Sequence, residues 1–345
     1  MIKSMKATFT VFGSLLTLLS VAQDQHFSFS EYSSTFLNPG LAGANSSMQG
    51  VASFRNQWSS FAEPFQTVAA SFDARFNEKK RQKAGIIAGG INLYNDRSGD
   101  LRVSTSSANL NIAYHLLIDD YNTIGLGIYG GFGQRSLSPS GGKWGTQYNG
   151  NNYDGNIDPG ESFNNASFAY VDAGAGVVYT YGSNGGYMSQ NSNQKLNIGF
   201  SVFHVNQPKY SFINAENEKL YMRMSAFVNG EFGIANTPGS ILPGIYYHRQ
   251  KNAQELLFGA NYKYSLNGGS RHTGFTRPSA LYTGMFFRLK DALVAKVMFE
   301  YDQFMVGFGY DINVSSLTEV SRARGGFEVF LRFNAGNGGG FRSRI

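Results

Sequence analysis

Residues 292–311 read ALVAKVMFEYDQFMVGFGYD. Taken two at a time, Leu293, Ala295, Val297, Phe299 and Tyr301 fall on one face, with Lys296 and Glu300 on the other. After Asp302-Gln303 the alternation restarts, setting Phe304, Val306, Phe308 and Tyr310 opposite Gly307 and Gly309. A period of two, an apolar face ending in aromatics and a tight polar turn describe a β-hairpin. A soluble sandwich would bury the apolar face and wet the other. A membrane barrel turns the first to lipid and the second to its lumen. The remainder of the chain has to decide between the two.

The chain opens with Lys3 and Lys6, an apolar run over 7–19, and Ser20-Val21-Ala22 before Gln23-Asp24. This is the pattern of a secretory signal peptide, residues 1–22. The run is too short for a membrane helix, and no other window approaches the ~18–20 continuous apolar residues such a helix needs. An exported chain of this kind resides in a membrane only as a closed barrel. It contains no cysteine, which excludes disulfide stapling, thiol catalysis and lipid attachment at an N-terminal Cys. Glycine (42 of 345 residues) and aromatics (15%) are high while hydrophobic content is only 42%, the composition of an outer-membrane barrel. The net charge of +6 falls to +4 when Lys3 and Lys6 are removed. What remains is scattered, apart from Lys79-Lys80-Arg81-Gln82-Lys83, a basic turn read as solvated, with contact to a periplasmic partner as the alternative. Nucleic acid is not an expected partner.

An irregular stretch, 23–48, holds Asn38-Pro39-Gly40 and is expected to be a periplasmic segment tucked under or into the barrel. Alternating segments then follow at 50–55, 66–76, 85–94, 107–117, 123–134, 168–181 and 196–204. The second half adds 221–232, 241–249, 255–264, 280–288, 292–301, 304–311 and 327–333. The even count of fourteen predicts an all-β, transmembrane, antiparallel up-and-down barrel over 49–333, with a Gly-rich tail at 334–345. At ~10 residues per strand and a tilt of ~45°, each segment crosses the hydrocarbon once.

With both barrel ends periplasmic, loops 136–167, 205–220 and 312–326 face outward and the turns at 119–122 and 302–303 face the periplasm. Residues 265–279 are long where the turn should be short, so either the count slips there or that loop is a docking feature. Phe333 is a terminal aromatic of the kind barrel-assembly machinery reads. The soluble alternative, an exported β-sandwich, predicts fewer aromatics at strand ends and less glycine on the polar face.

Signals for chemistry are sparse. Gly125-Leu126-Gly127-Ile128-Tyr129-Gly130 spells a dinucleotide-binding pattern, but it lies inside a strand rather than opening a helix, so it reads as small residues lining a lumen. Asp154, Asn156, Asp158 and Glu161 resemble a calcium loop, yet Pro159 stands where the sharp-turning glycine belongs. The five histidines show no paired metal spacing. A Ser–His site in the wall, as in a barrel lipase, is the only enzymatic reading the residues leave open. Within Arg55-Asn56-Gln57-Trp58, Trp58 reads as an interface aromatic and Arg55 and Gln57 as lumen-facing.

Several segments, in order, resemble the PorP/SprF family of type IX secretion outer-membrane proteins. Residues 27–43 (FSFSEYSSTFLNPGLAG) carry Leu37-Asn38-Pro39 and Ala42-Gly43. Phe54-Arg55-Asn56-Gln57-Trp58, with Phe65-Gln66-Thr67 and Ser71-Phe72-Asp73, is the most specific match. Lys143-Trp144-Gly145-Thr146-Gln147-Tyr148, Phe203-His204-Val205-Asn206-Gln207-Pro208 and Tyr310-Asp311-Ile312-Asn313 continue it. Gly40-Leu41 before Ala42-Gly43 departs from the family's commoner Ala-Tyr after the proline.

The resemblance implies a fourteen-stranded, non-enzymatic outer-membrane barrel with no cofactor or metal. It implies a secreted surface adhesin with a type B C-terminal domain as partner, together with periplasmic type IX secretion components and outer-membrane lipid. The candidates for partner contact are Asn38, Pro39, Arg55, Asn56, Gln57, Trp58, Trp144, Gln147, Asp311 and Asn313. The rival function is a porin or fatty-acid-type channel plugged by 23–48, though glycine-rich inner faces with few charges argue for a narrow or filled lumen.

Overall fold

The computed structural model describes residues 27–58, 63–77, 85–138, 142, 144–158, 160, 166–183, 194–212, 218–267, 277–315 and 318–335. The signal-peptide stretch 1–22, the basic turn Lys79–Lys83 and residues 336–345 of the expected tail lie outside them.

Period-two alternation becomes strand throughout. The first seven strands are β1 (Met48–Gln57), β2 (Phe65–Arg75), β3 (Ile86–Ser98), β4 (Val103–Leu117), β5 (Asn122–Ser136), β6 (Ser167–Ser183) and β7 (Gln194–Phe203). The others are β8 (Arg223–Gly233), β9 (Gly239–Gln250), β10 (Ala253–Asn267), β11 (Ser279–Arg288), β12 (Ala292–Tyr301), β13 (Phe304–Asn313) and β14 (Arg324–Ala335). Each pairs antiparallel with its sequence neighbours, and β14 closes on β1 in unbroken register from Met48↔Ala335 to Gln57↔Gly326. This is a closed barrel of fourteen strands, which leaves no unpaired edge. β10 and β11 bond directly to each other, so the count does not slip at 265–279. β14 runs two residues past Phe333, so the barrel takes in the start of the expected tail.

Side-chain direction settles the solvent. In β12, Ala295, Val297, Phe299 and Tyr301 are exposed, while Lys296 and Met298 are buried. In β4, Leu110 is 65% and Ile112 58% exposed, against 2% for Asn111 between them. Such tiling would leave a soluble protein with an apolar surface far beyond the few hundred Å² that monomers carry. The largest fully buried side chains include Arg55, Lys296, His115 and Glu328, residue types that a sandwich core rarely encloses. Lipid therefore faces the apolar side, and the sandwich alternative falls.

Parity places both barrel ends, Met48 and Ala335, at one rim. The turns 118–121 and 302–303 lie at that rim, and the connections 137–166, 204–222 and 314–323 at the other. In the first turn the Tyr121 amide and the Asn122 side chain bond the Asp119 carboxylate and hold it below its usual range.

The core sits inside the barrel, built around residues 27–44. One cluster joins Leu37, Leu41 and Ala44 to Val178, Phe227, Tyr246, Leu257, Phe286 and Val294. A second joins Phe29 and Tyr32 to wall residues including Met298, Met305 and Phe330. In chain order the segment descends from the loop rim to the start of β1 at the end rim. Gly43 bonds Asp73 near the end rim, whereas Ser28 reaches Arg288, the last residue of β11, at the loop rim. The stretch expected to tuck under or into the barrel thus lies, over 27–44, inside the lumen.

Candidate functional site

A peptide without regular structure can fill a barrel only if its backbone groups find partners there. Residues 27–44 form only one helical turn (Ser34–Leu37) and one 3-10 turn (Pro39–Leu41). The wall supplies the rest. Ser201 Oγ donates to the Leu37 carbonyl at 2.8 Å, His115 Nε2 lies 2.6 Å from the Ala42 carbonyl, and Arg75 Nε donates to the Gly43 carbonyl at 2.6 Å. Asp73 accepts the Gly43 amide at 2.7 Å, and Thr35 Oγ1 donates to Asn92.

Asn38 and Pro39 lie low in the lumen. Asn38 is fully buried, its Oδ1 accepting from the Gly40 amide and its Nδ2 donating to the carbonyls of Val177 (3.1 Å) and Phe200 (3.0 Å). This turn lies flat on glycines. A Cβ at Gly127 would stand 2.3 Å from the Pro39 carbonyl carbon and the Gly40 nitrogen, and one at Gly176 would stand 2.1 Å from Asn38 Oδ1. Gly125 and Gly127 of the nucleotide-like pattern therefore serve close approach of two backbones.

Near the loop rim the wall carries a buried ionic network centred on Ser28. Arg55 donates to Asp311 at 2.7 Å and to Glu328 at 3.1 Å, and Arg288 donates to Asp311 at 3.0 Å and Asp291 at 3.1 Å. The Ser28 amide donates to Glu328 at 2.7 Å and its hydroxyl to Asp311 at 2.8 Å, while both arginines donate back to that hydroxyl. Midway down, Lys296 pairs with Glu31 at 2.8 Å, and its ammonium lies 3.8 Å from the Phe286 ring centroid. Inner faces read as poor in charge thus carry a buried ionic cluster on β11, β13, β14 and β1, with Lys296 of β12 below it. Charge-assisted bonds of this kind are strong only because each partner is present.

The sequence candidates separate into four places. Asn38 and Pro39 are covered by the wall. Arg55 and Asp311 join in the network, with Asn313 nearby bonding Ser321 Oγ and the Arg324 carbonyl to hold the β13–β14 connection. Asn56, Gln57 and Trp58 are half-buried at the loop rim, Trp58 at φ 58° with its ring edge-on to Phe65 at 4.8 Å. Trp144 and Gln147 belong to the β5–β6 connection, where Gln147 bonds the Trp144 amide, the Ile157 carbonyl and Tyr153. Asn56, Gln57, Trp58 and Trp144 stay partly exposed, whereas Gln147 is buried.

Sequence reasoning missed Ser28, Glu31, Arg288, Lys296 and Glu328 as a functional set. The available signal was a lone charge on the small face of an otherwise alternating strand, as at Lys296.

Elsewhere, Asp154 and Asp158 cap local turns through the amides of Asn156 and Gly160, while Pro159 and Glu161 lie outside the described residues. Among the described residues no group of three His, Cys, Asp or Glu is placed to hold a metal. His204 Nδ1 lies 2.8 Å from Asp172, a carboxylate that Tyr129 also reaches at 2.9 Å.

A family model described as "Type IX secretion system membrane protein PorP/SprF" matches residues 19–333. No curated protein matches the sequence. Among solved structures, CdiB from Acinetobacter baumannii shares 8% identity, over 83% of this chain and 60% of its own, at a TM-score of 0.42. The chain thus spans about three-fifths of CdiB's length. BamA from Haemophilus ducreyi lacking POTRA domains 1–3 shares 8% over 84% and 70%, at 0.43. OprB from Pseudomonas putida shares 7% over 83% and 92%, at 0.37. These are likenesses of barrel architecture.

Proposed function

The chain belongs to the PorP/SprF family of type IX secretion system membrane proteins, and from that premise we propose that it is a non-enzymatic outer-membrane receptor that anchors, or helps export, one large secreted surface protein. The partner is an adhesin bearing a type B C-terminal domain, and periplasmic components of the same machinery meet the opposite rim. The family is one of secretion-system membrane barrels, not of enzymes.

The observation that carries this reading is the occupied lumen. Residues 27–44 are bonded to the wall from Asp73 at one end to Arg288 at the other. A barrel filled in this way offers no path to a folded cargo or a solute, which disfavours the porin reading. Its working surfaces are then the rims. In this orientation the ends at Met48 and Ala335 face the periplasm, and the connections 137–166, 204–222 and 314–323 face outward.

Deleting the gene tests the proposal. The expected result is loss of one large protein from the cell surface, with small-solute permeability unchanged. Normal surface display in the deletion strain would overturn it.

A further inference from the structure

Every strand of the closed barrel has two neighbours, but β6 outruns one of them. Its pairing with β5 runs all the way to Ser136↔Ser167, whereas its pairing with β7 begins only at Ala175↔Val202. β7 leaves the sheet at the loop rim, where His204 takes φ 56° and Gln207 φ 42°. The chain then turns toward the lumen side. The rings of Tyr210 and Phe212 pack on Phe168 at 5.5 and 5.0 Å between centroids, and the Arg135 guanidinium lies 4.4 Å over Tyr210. About 20 Å of β6, at ~3.4 Å per residue, is left with no strand beside it on the β7 side.

In an antiparallel sheet each residue directs both backbone groups to one neighbour, and the direction alternates along the strand. The Ala173 carbonyl accepts from the Val205 amide at 3.0 Å and the Val171 carbonyl from Asn206 Nδ2 at 2.7 Å, so the odd positions of β6 face the open side. The Asp172 carboxylate caps the Ala173 amide at 2.9 Å. Above these caps, the amides of Val171, Ala169 and Ser167 and the carbonyls of Ala169 and Ser167 meet no backbone partner on that side among the described residues. They recur every ~6.8 Å. All three residues are exposed, and no Lys, Pro or bulge blunts this edge in the way sheet edges are usually blunted. Phe168 and Tyr170, stacked on Tyr210, brace the projecting strand, so the edge is set before anything binds it.

We propose that the edge of β6 over 167–171 takes an added β-strand from the secreted partner. A row of donors and acceptors at this repeat is complementary to another extended backbone. Copies of the chain insert in one direction, so two such edges would meet parallel, the less stable pairing. The edge stands at the rim that the receptor reading turns outward, and the proposal rests on that reading. The two fail separately: normal display in a deletion strain sinks the receptor, whereas the tests below sink the edge alone.

Ala169→Pro removes an amide on the open side and spares the ladder with β5, the one setting in which a strand tolerates proline. The probe is a fluorescein-labelled, lysine-capped peptide of alternating threonine and valine, titrated by anisotropy against the full chain in detergent. Saturable binding is expected, weakened about 10-fold by Ala169→Pro, the order of one lost hydrogen bond. N-methylating the peptide's own amides is expected to abolish it. Heat-modifiable gel mobility reports whether the variant folds. Should it not, Asn206→Ala frees the Val171 carbonyl and is expected to bind severalfold more tightly, and unchanged affinity there would overturn the proposal. In cells, folded Ala169→Pro is expected to lose the displayed protein that gene deletion loses. No binding, equal binding by folded Ala169→Pro, binding of the N-methylated peptide, or normal display by folded Ala169→Pro would each overturn it too. Analytical ultracentrifugation is the last arm: a dimer that the peptide splits would assign the edge to a second copy of this chain and likewise overturn the proposal.

Discussion

At the scale of single residues, the lumen is held by groups that are costly to leave alone. Arg55 is the partner Glu328 shares with the Ser28 amide, while Asp311 keeps a second arginine in Arg288. Replacing Arg55 by Met strands the Glu328 carboxylate in a buried site, which costs ~3–5 kcal/mol for a broken buried pair. Urea unfolding in detergent is expected to show the midpoint of Arg55→Met falling accordingly. An unchanged midpoint would mean that the network is incidental. The glycines of β5 allow a sharper contrast. A Cβ at Gly127 collides with Pro39 and Gly40, whereas one at Gly130 meets nothing within 4 Å. Gly127→Val is therefore expected to push the 38–40 turn off the wall and open residues 27–44 to protease, and Gly130→Val to leave the digestion pattern as in the parent. Equal digestion of the two variants would remove the role assigned to the glycine floor.

At the scale of elements, the strands were legible because alternation is local information. Ten residues of β12 display both faces, and Val297, midway along it, is 53% exposed to lipid. Val297→Arg is expected to cost ~2–4 kcal/mol, the penalty of a charge near the bilayer midplane. Refolding yield into vesicles measures it, and Val297→Leu should refold as the parent does. The segment 27–44 was not legible in the same way. It has no period, and its partners lie far along the chain, as Ser28 does from Glu328, 300 residues away. Nothing in the sequence around Arg288 or Glu328 announces the opposite charge that the closed barrel brings to each. The long stretch at 265–279 left the strand count open for the converse reason. Turn length is a habit of barrels, whereas the direct pairing of β10 with β11 keeps the count at fourteen.

At the scale of the whole molecule, the unpaired inference is direction. An even strand count forces Met48 and Ala335 to one rim, but closure alone does not say which side of the membrane that rim occupies. The proposed reading takes the direction from loop lengths, since barrels of this class keep short turns at the periplasm and long loops outside. The β4–β5 and β12–β13 turns share the rim of the chain ends, and the 137–166 connection lies opposite. The filling segment spans the same axis, running from Ser28 among charges at the loop rim to Gly43 at the end rim. The absence of cysteine makes this testable with a single thiol at a time. Asn151→Cys, exposed in the long connection, is expected to react with a membrane-impermeant maleimide on intact cells, and Asp120→Cys, exposed in the short turn, only after lysis. The reverse pattern would invert the barrel, turn the open edge of β6 toward the periplasm and remove the outer surface on which a receptor for a displayed protein depends.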